Sequence, residues 1–144
     1  MYMEQNQISL ATEYNRYPKI FSEMKYLFHN PKNILSFGCS TGEECRTLSQ
    51  EYFPNSKIVG VDIDSNVIAN NVACNHNENI SYFNNIQDVN VKFDVIFVMS
   101  VLCVWPEDSG TYSFDLFERT LTLIDKYLSK NGIICVYNSK YRFC

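Results

Sequence analysis

Five short apolar runs, separated by helix-spaced stretches or polar loops, constrain the fold more than any other feature. Residues 33–37 (NILSF), 57–63 (KIVGVDI), 80–83 (ISYF), 93–100 (FDVIFVMS) and 132–137 (GIICVY) have strand length and strand-forming residues. Residues 43–53, 66–75 and 113–130 have helical spacing instead, and 84–92 reads as a loop or one short turn. In the last helix Phe114, Phe117, Leu121, Ile124 and Leu128 form one stripe, Ser113 can cap its start and Asn131-Gly132 supplies a stop. A further helical segment, 14–30, precedes the first strand. Its apolar positions Tyr17, Ile20, Phe21, Met24, Leu27 and Phe28 recur at three- and four-residue steps, and Pro31 ends it by disfavouring helical geometry in the residue before it. Runs 93–100 and 132–137 are apolar on both faces, as in inner strands of a parallel sheet covered on each side. The expected fold is α/β: a doubly wound, mostly parallel sheet of about five strands with helices on both faces. Such sheets bind ligands in the crevice beyond the carboxyl ends of their strands.

The whole chain, 1–144, reads as one domain, with residues 1–13 as a loose arm lacking periodicity. A hydrophobic fraction of 46% suffices for a core, and a net charge of −4 offers no basic stripe for a nucleic-acid backbone. No run approaches the roughly 18 apolar residues that cross a membrane. Six cysteines, at 39, 45, 74, 103, 135 and 144, form neither a C-x-x-C pair nor a zinc pattern, so no metal is expected and a reducing, cytoplasmic setting is. Cys74, Cys103 and Cys135 lie in or beside apolar runs, where a thiol acts as a small hydrophobe.

The first strand breaks into Gly38-Cys39-Ser40-Thr41-Gly42 before the next helical pattern starts at Glu43. A strand, a glycine loop and an immediate helix suit a nucleotide-like ligand, though a plain strand-to-helix turn needs glycine as well. Asp62 adds weight to the ligand, since it lies 20 residues after Gly42 at the tip of the next strand, where a carboxylate can accept both hydrogen bonds of a ribose diol, the plainer alternative being a surface Asp beside a helix cap. Asp64 is better placed to cap the following helix. The dinucleotide fingerprint G-x-G-x-x-G fails at Ser40 and Glu43, and a glutamate at the helix start opposes a pyrophosphate there. A phosphate-free nucleoside fits better, and a nicotinamide-dependent reductase is disfavoured.

ILSFGCSTGEE followed by VGVDID is similar to motifs one and two of the class I, Rossmann-like S-adenosylmethionine-dependent methyltransferases. FDVIFVMSVLCVWPE and LIDKYLSKNGIICVYN resemble that superfamily's fourth- and fifth-strand segments, so the resemblance runs in order over about residues 14–141. It implies S-adenosylmethionine as cofactor, with S-adenosylhomocysteine as product, and a small-molecule or protein methyl acceptor. Gly38, Cys39, Ser40 and Gly42 would wrap the methionine portion, Asp62 would bind the ribose and Ile63 would lie on the adenine. Asn85 or Asp88 would meet the adenine amino group, and Met99 and Ser100 would flank the methyl. Tyr14 and Tyr17 would fold back as a lid. The family often has an acid where this chain has Ser36, which leaves the donor ammonium without a partner.

Methyl transfer from a sulfonium needs no universal catalytic residue, and none is singled out. His29 and His76 read as surface residues. The segment MSVLCVWPED lacks the Asn/Asp-Pro-Pro-aromatic motif of nucleic-acid amino-methyltransferases, and Trp105, Glu107 and Asp108 open a polar loop on the substrate side. The family sheet normally adds a two-strand hairpin beyond the fifth strand. Without it, GIICVY becomes an apolar edge, and a second copy of the chain or another chain is expected to cover it. The alternative to an enzyme is a methyltransferase-like binding or interaction subunit without catalysis of its own.

Overall fold

The computed structural model describes residues 3–7, 9–104 and 111–142. Five parallel strands, β1 (Asn33–Phe37), β2 (Lys57–Val61), β3 (Ile80–Phe83), β4 (Phe93–Met99) and β5 (Leu128–Tyr137), form one sheet in the order β3-β2-β1-β4-β5. The chain winds outward from β1 to β3, then crosses back to lay β4 on the other side of β1. That reversal opens a crevice at the carboxyl ends of β1 and β4, where an open α/β sheet binds its ligands.

The inner strands are apolar because both faces are covered. Val95, Ile96, Phe97 and Val98 of β4 are all fully buried. Phe21 and Met24 of helix α1 (Pro18–Leu27) pack on one face, with Phe21 edge-on to Phe97 at 5.3 Å between ring centroids. On the other face lie Phe117, Leu123 and Ile124 of helix α4 (Phe114–Asp125). Ser113 caps α4, accepting from the Leu116 N–H at 3.1 Å, and Asp64 caps α3 (Ser65–Cys74) by accepting from Asn66 and Val67. Among the described residues no helix is long and apolar enough to cross a membrane.

Several boundaries differ from the sequence expectation. Helix α1 starts at Pro18, with Tyr17 as its N-cap, so residues 14–16 only turn into it. The helix expected over 43–53 is α2 (Glu43–Thr47) followed by a π-helical turn (Leu48–Tyr52), closed by the Phe53 N–H on the Leu48 carbonyl at 2.7 Å. Residues 84–92 contain one 3-10 turn, Ile86–Asp88.

The largest shift is at the end of α4. Leu128 continues the helical stripe in sequence, but it pairs with Phe93 and opens β5, while the Phe93 N–H takes the Tyr127 carbonyl at 2.7 Å. Asn131-Gly132 therefore lies within β5, at an irregularity of register between Phe93 and Val95, and does not stop the helix. Nor is β5 an inner strand. It is an edge, with Ile133 38% and Tyr137 47% exposed. Cys74 is exposed, whereas among the described residues Cys39 and Cys45 are the buried thiols.

Candidate functional site

The loop Gly38-Cys39-Ser40-Thr41-Gly42 is built around two left-handed glycines and a left-handed serine: Gly38 has φ +78°, Ser40 +48° and Gly42 +89°. A Cβ on Gly38 would stand 2.5 Å from Val101 Cγ2, so glycine is needed there for space as well as for conformation. Four of the loop's five backbone N–H groups turn inward. Gly38 and Cys39 donate to the Val61 carbonyl at 2.7 and 3.0 Å, Gly42 donates to the Cys39 carbonyl, and Ser40 donates to Asp62 Oδ2 at 2.9 Å. The loop is thus no anion nest, and a carboxylate sits against it. Asn71, buried on α3, fixes its far side by donating to the Ser40 carbonyl at 2.8 Å.

A cleft of about 280 Å³ opens beside this loop. Gly38, Cys39, Ser40, Asp62, Ile63, Met99 and Ser100 all line it. Gly42 does not, since it faces Tyr82 and Arg46 as the N-cap of α2. Asn85 and Asp88 are not brought to the cleft either: the Asn85 side chain caps the 3-10 turn, accepting from the Gln87 N–H at 2.9 Å. Asp62 is half-buried, and besides the Ser40 bond its Oδ1 accepts from the Asp64 N–H at 3.1 Å. A carboxylate offers about four acceptor positions, so a ligand diol can still be served.

Two charged lining residues, Glu44 and Arg16, were given no role by the sequence. Glu44 projects from α2 into the cleft and accepts from Ser36 Oγ at 2.8 Å. Its carboxylate thus reaches the spot on β1 where the family's acid is missing. Burial pushes Glu44 up to about 7, opposed by the Ser36 hydroxyl and by the positive charge of Arg16. Arg16 lines the same cleft, with its guanidinium 5.2 Å from the centre of the Tyr17 ring. Glu43, the neighbour of Glu44, points elsewhere, pairing with Arg46 at 3.2 Å.

The arm is the other surprise. Residues 3–7 and 9–13 have no helix or strand, yet they are tied across the cleft. Ser40 Oγ donates to the Leu10 carbonyl at 2.7 Å, and Gln7 Nε2 reaches the Ser100 carbonyl at 3.4 Å. The buried Asn6 accepts from Thr120 and Tyr112 on the far side, and Glu4 pairs with Arg119 at 2.9 Å. Tyr17 lines the cleft, but Tyr14 turns away, donating to Glu51 at 2.7 Å. His29 and His76 are exposed and do not line the cleft, while Trp105, Glu107 and Asp108 lie outside the described residues.

Residues 28–142 match the family described as "Methyltransferase domain". Among solved structures, the chain is similar to the plantazolicin methyltransferase BpumL in complex with a triazolic desmethylPZN analog and SAH (22% identity, TM-score 0.58), covering 81% of this chain and 43% of that one. It is also similar to PKMT2 from Rickettsia typhi in complex with AdoHcy (25% identity, TM-score 0.54, covering 73% and 20%). Coclaurine N-methyltransferase is similar at 16% identity and TM-score 0.58, covering 81% and 33%. This chain therefore spans less than half the length of these relatives. No curated protein matches it.

Proposed function

The chain belongs to the methyltransferase-domain family, and from that premise we propose that it binds S-adenosylmethionine in the cleft beside the glycine loop and transfers the methyl group to a small-molecule or protein acceptor. The observation that carries this reading is the distribution of charge in one cleft: Asp62 at the tip of β2, Glu44 and Arg16 at the β1–α2 end, and the N–H groups of Gly38, Cys39, Ser40 and Gly42 engaged within the protein. Those groups fit a ribose diol, an ammonium and a carboxylate, and they disfavour a phosphate.

Asp62 holds the ribose hydroxyls. Ile63, 39% exposed at the cleft wall, gives the adenine an apolar surface. Gly38, Cys39 and Ser40 enclose the methionine chain, Glu44 takes its ammonium and Arg16 its carboxylate. Met99 stands at the methyl end. When bound, the donor supplies a methyl group whose displacement has a neutral leaving group, so orientation by the protein can provide most of the rate. Calorimetric titration with S-adenosylhomocysteine tests the reading: saturable one-to-one binding is expected, and no detectable heat would defeat it.

The open β5 edge, with Ile133 and Tyr137 exposed, favours a partner strand from a second copy or another chain. It also keeps in view a subunit that holds the cofactor for a partner's catalysis. Cysteines without disulfides among the described residues support a reducing, cytoplasmic setting.

A further inference from the structure

Helix α3 buries two residues, Ile68 and Asn71, three positions apart on one face. Ile68 belongs to the apolar core, but Asn71 brings an amide into the same interior face, only 6% exposed. A buried amide costs stability unless it is hydrogen-bonded, and an aliphatic side chain would fill the position without that cost. What the amide adds is one bond: Asn71 Nδ2 donates to the Ser40 carbonyl at 2.8 Å, 31 residues away along the chain.

Ser40 needs the support. At φ +48° it is left-handed, a conformation that a residue with a Cβ adopts at a cost and keeps only where its surroundings over-determine it. Three partners do so. The Ser40 N–H donates to Asp62 Oδ2 at 2.9 Å, Ser40 Oγ donates to the Leu10 carbonyl at 2.7 Å, and the Ser40 carbonyl accepts from Asn71. Leu10 lies in the arm, outside any helix or strand, so Asn71 is the partner that ties Ser40 to a helix.

These bonds close into a circuit through Asp62. Asp62 Oδ1 accepts from the Asp64 N–H at 3.1 Å, and Asp64 caps α3 by accepting from Asn66 and Val67. About two turns along the helix stands Asn71, which holds Ser40, and Ser40 returns to Asp62 Oδ2. Each carboxylate oxygen of Asp62 is therefore set by a backbone N–H that α3 fixes in turn, one at its N-cap and one through Asn71. With one lone pair of each oxygen so occupied, the others are aimed at the cleft. Without the Asn71 donor the Ser40 carbonyl must turn to another partner, since a buried acceptor is costly to leave unpaired. Ser40 then leaves its left-handed conformation and draws its N–H away from Oδ2.

We propose that Asn71 is a positioning residue for cofactor binding, which aims the Asp62 carboxylate at the ribose diol through Ser40. Asn71 does not line the cleft, so it acts on the ligand only through that contact. This inference rests on the cofactor reading above.

The test separates recognition of the diol from general support of the loop. Calorimetry compares S-adenosylhomocysteine with its 2′,3′-dideoxy analogue, which lacks both ribose hydroxyls, in wild type, Asn71→Leu and Asn71→Ala, each well below its melting temperature. Leucine keeps the branched shape without the donor, and alanine removes the bulk, so the result does not depend on one variant folding. Wild type should prefer S-adenosylhomocysteine roughly 10- to 100-fold. In the variants that preference should fall about tenfold, through weaker binding of S-adenosylhomocysteine with the affinity for the analogue unchanged. Equal weakening of both ligands, or a preference that stays at the wild-type value, would overturn the proposal. Failure of wild type to bind S-adenosylhomocysteine, or binding with no preference for the diol, would instead overturn the cofactor reading beneath it.

Discussion

Replacing Glu44 by Gln removes a half-buried negative charge while keeping an acceptor for Ser36. Burial raises this carboxyl from an ordinary 4.5 to about 7, so the folded state without ligand holds the proton more tightly than the unfolded chain. A raised acid favours the fold at low pH, and that advantage is lost as pH rises from 4.5 through 7. At about 1.4 kcal/mol per pH unit the ceiling is about 3 kcal/mol, reduced by the group's residual exposure. Ligand-free Glu44→Gln should therefore melt several degrees above wild type at pH 8, with the difference shrinking as pH falls and vanishing only below 4.5. Cofactor affinity should move the opposite way, because an ammonium then loses its charged partner: S-adenosylhomocysteine should bind roughly 10- to 100-fold more weakly at pH 8. Wild-type affinity should also fall as pH drops below 7 and Glu44 takes up its proton, while the variant stays flat. Thermal melts and calorimetry across pH 5–8 read all three effects. A variant that binds as wild type, with the wild-type pH profile, would refute the assignment of Glu44 to the ammonium.

Two further outcomes follow from the geometry. Gly38→Ala forces a Cβ into a left-handed residue and within 2.5 Å of Val101, so the melting temperature should drop by roughly 4–8 °C for a cost of about 2 kcal/mol; an unchanged melt would contradict the geometry of the loop. The open β5 edge should give a dimer or larger assembly in light scattering, dispersed by Ile133→Lys, whereas a wild-type monomer at high concentration would exclude self-pairing.

How much of this was legible differs from one residue to the next. The parallel sheet and the glycine loop could be read because buried strands are short apolar runs and a left-handed turn demands glycine. Asp62 and Asp64 were separable in sequence, and the structure puts Asp64 on the α3 cap and Asp62 in the cleft. Glu43 and Glu44 were not, because neighbouring glutamates look alike until the helix phase is known. One then meets Arg46 while the other turns back to Ser36. Leu128 satisfies both the helical stripe of α4 and the pairing pattern of β5, so only the Phe93 contact places it. The arm was invisible for a different reason: hydrogen bonds that tie Asn6, Gln7 and Leu10 to Thr120, Ser100 and Ser40 leave no periodicity along the chain.

The central claim is that this cleft holds a phosphate-free nucleoside by its ribose at Asp62. Titrating S-adenosylhomocysteine into wild type and Asp62→Ala measures it directly. The account predicts saturable binding to wild type and a loss of about 1.5–3 kcal/mol, roughly 10- to 100-fold in affinity, in the variant. Equal affinity in the two proteins would contradict it.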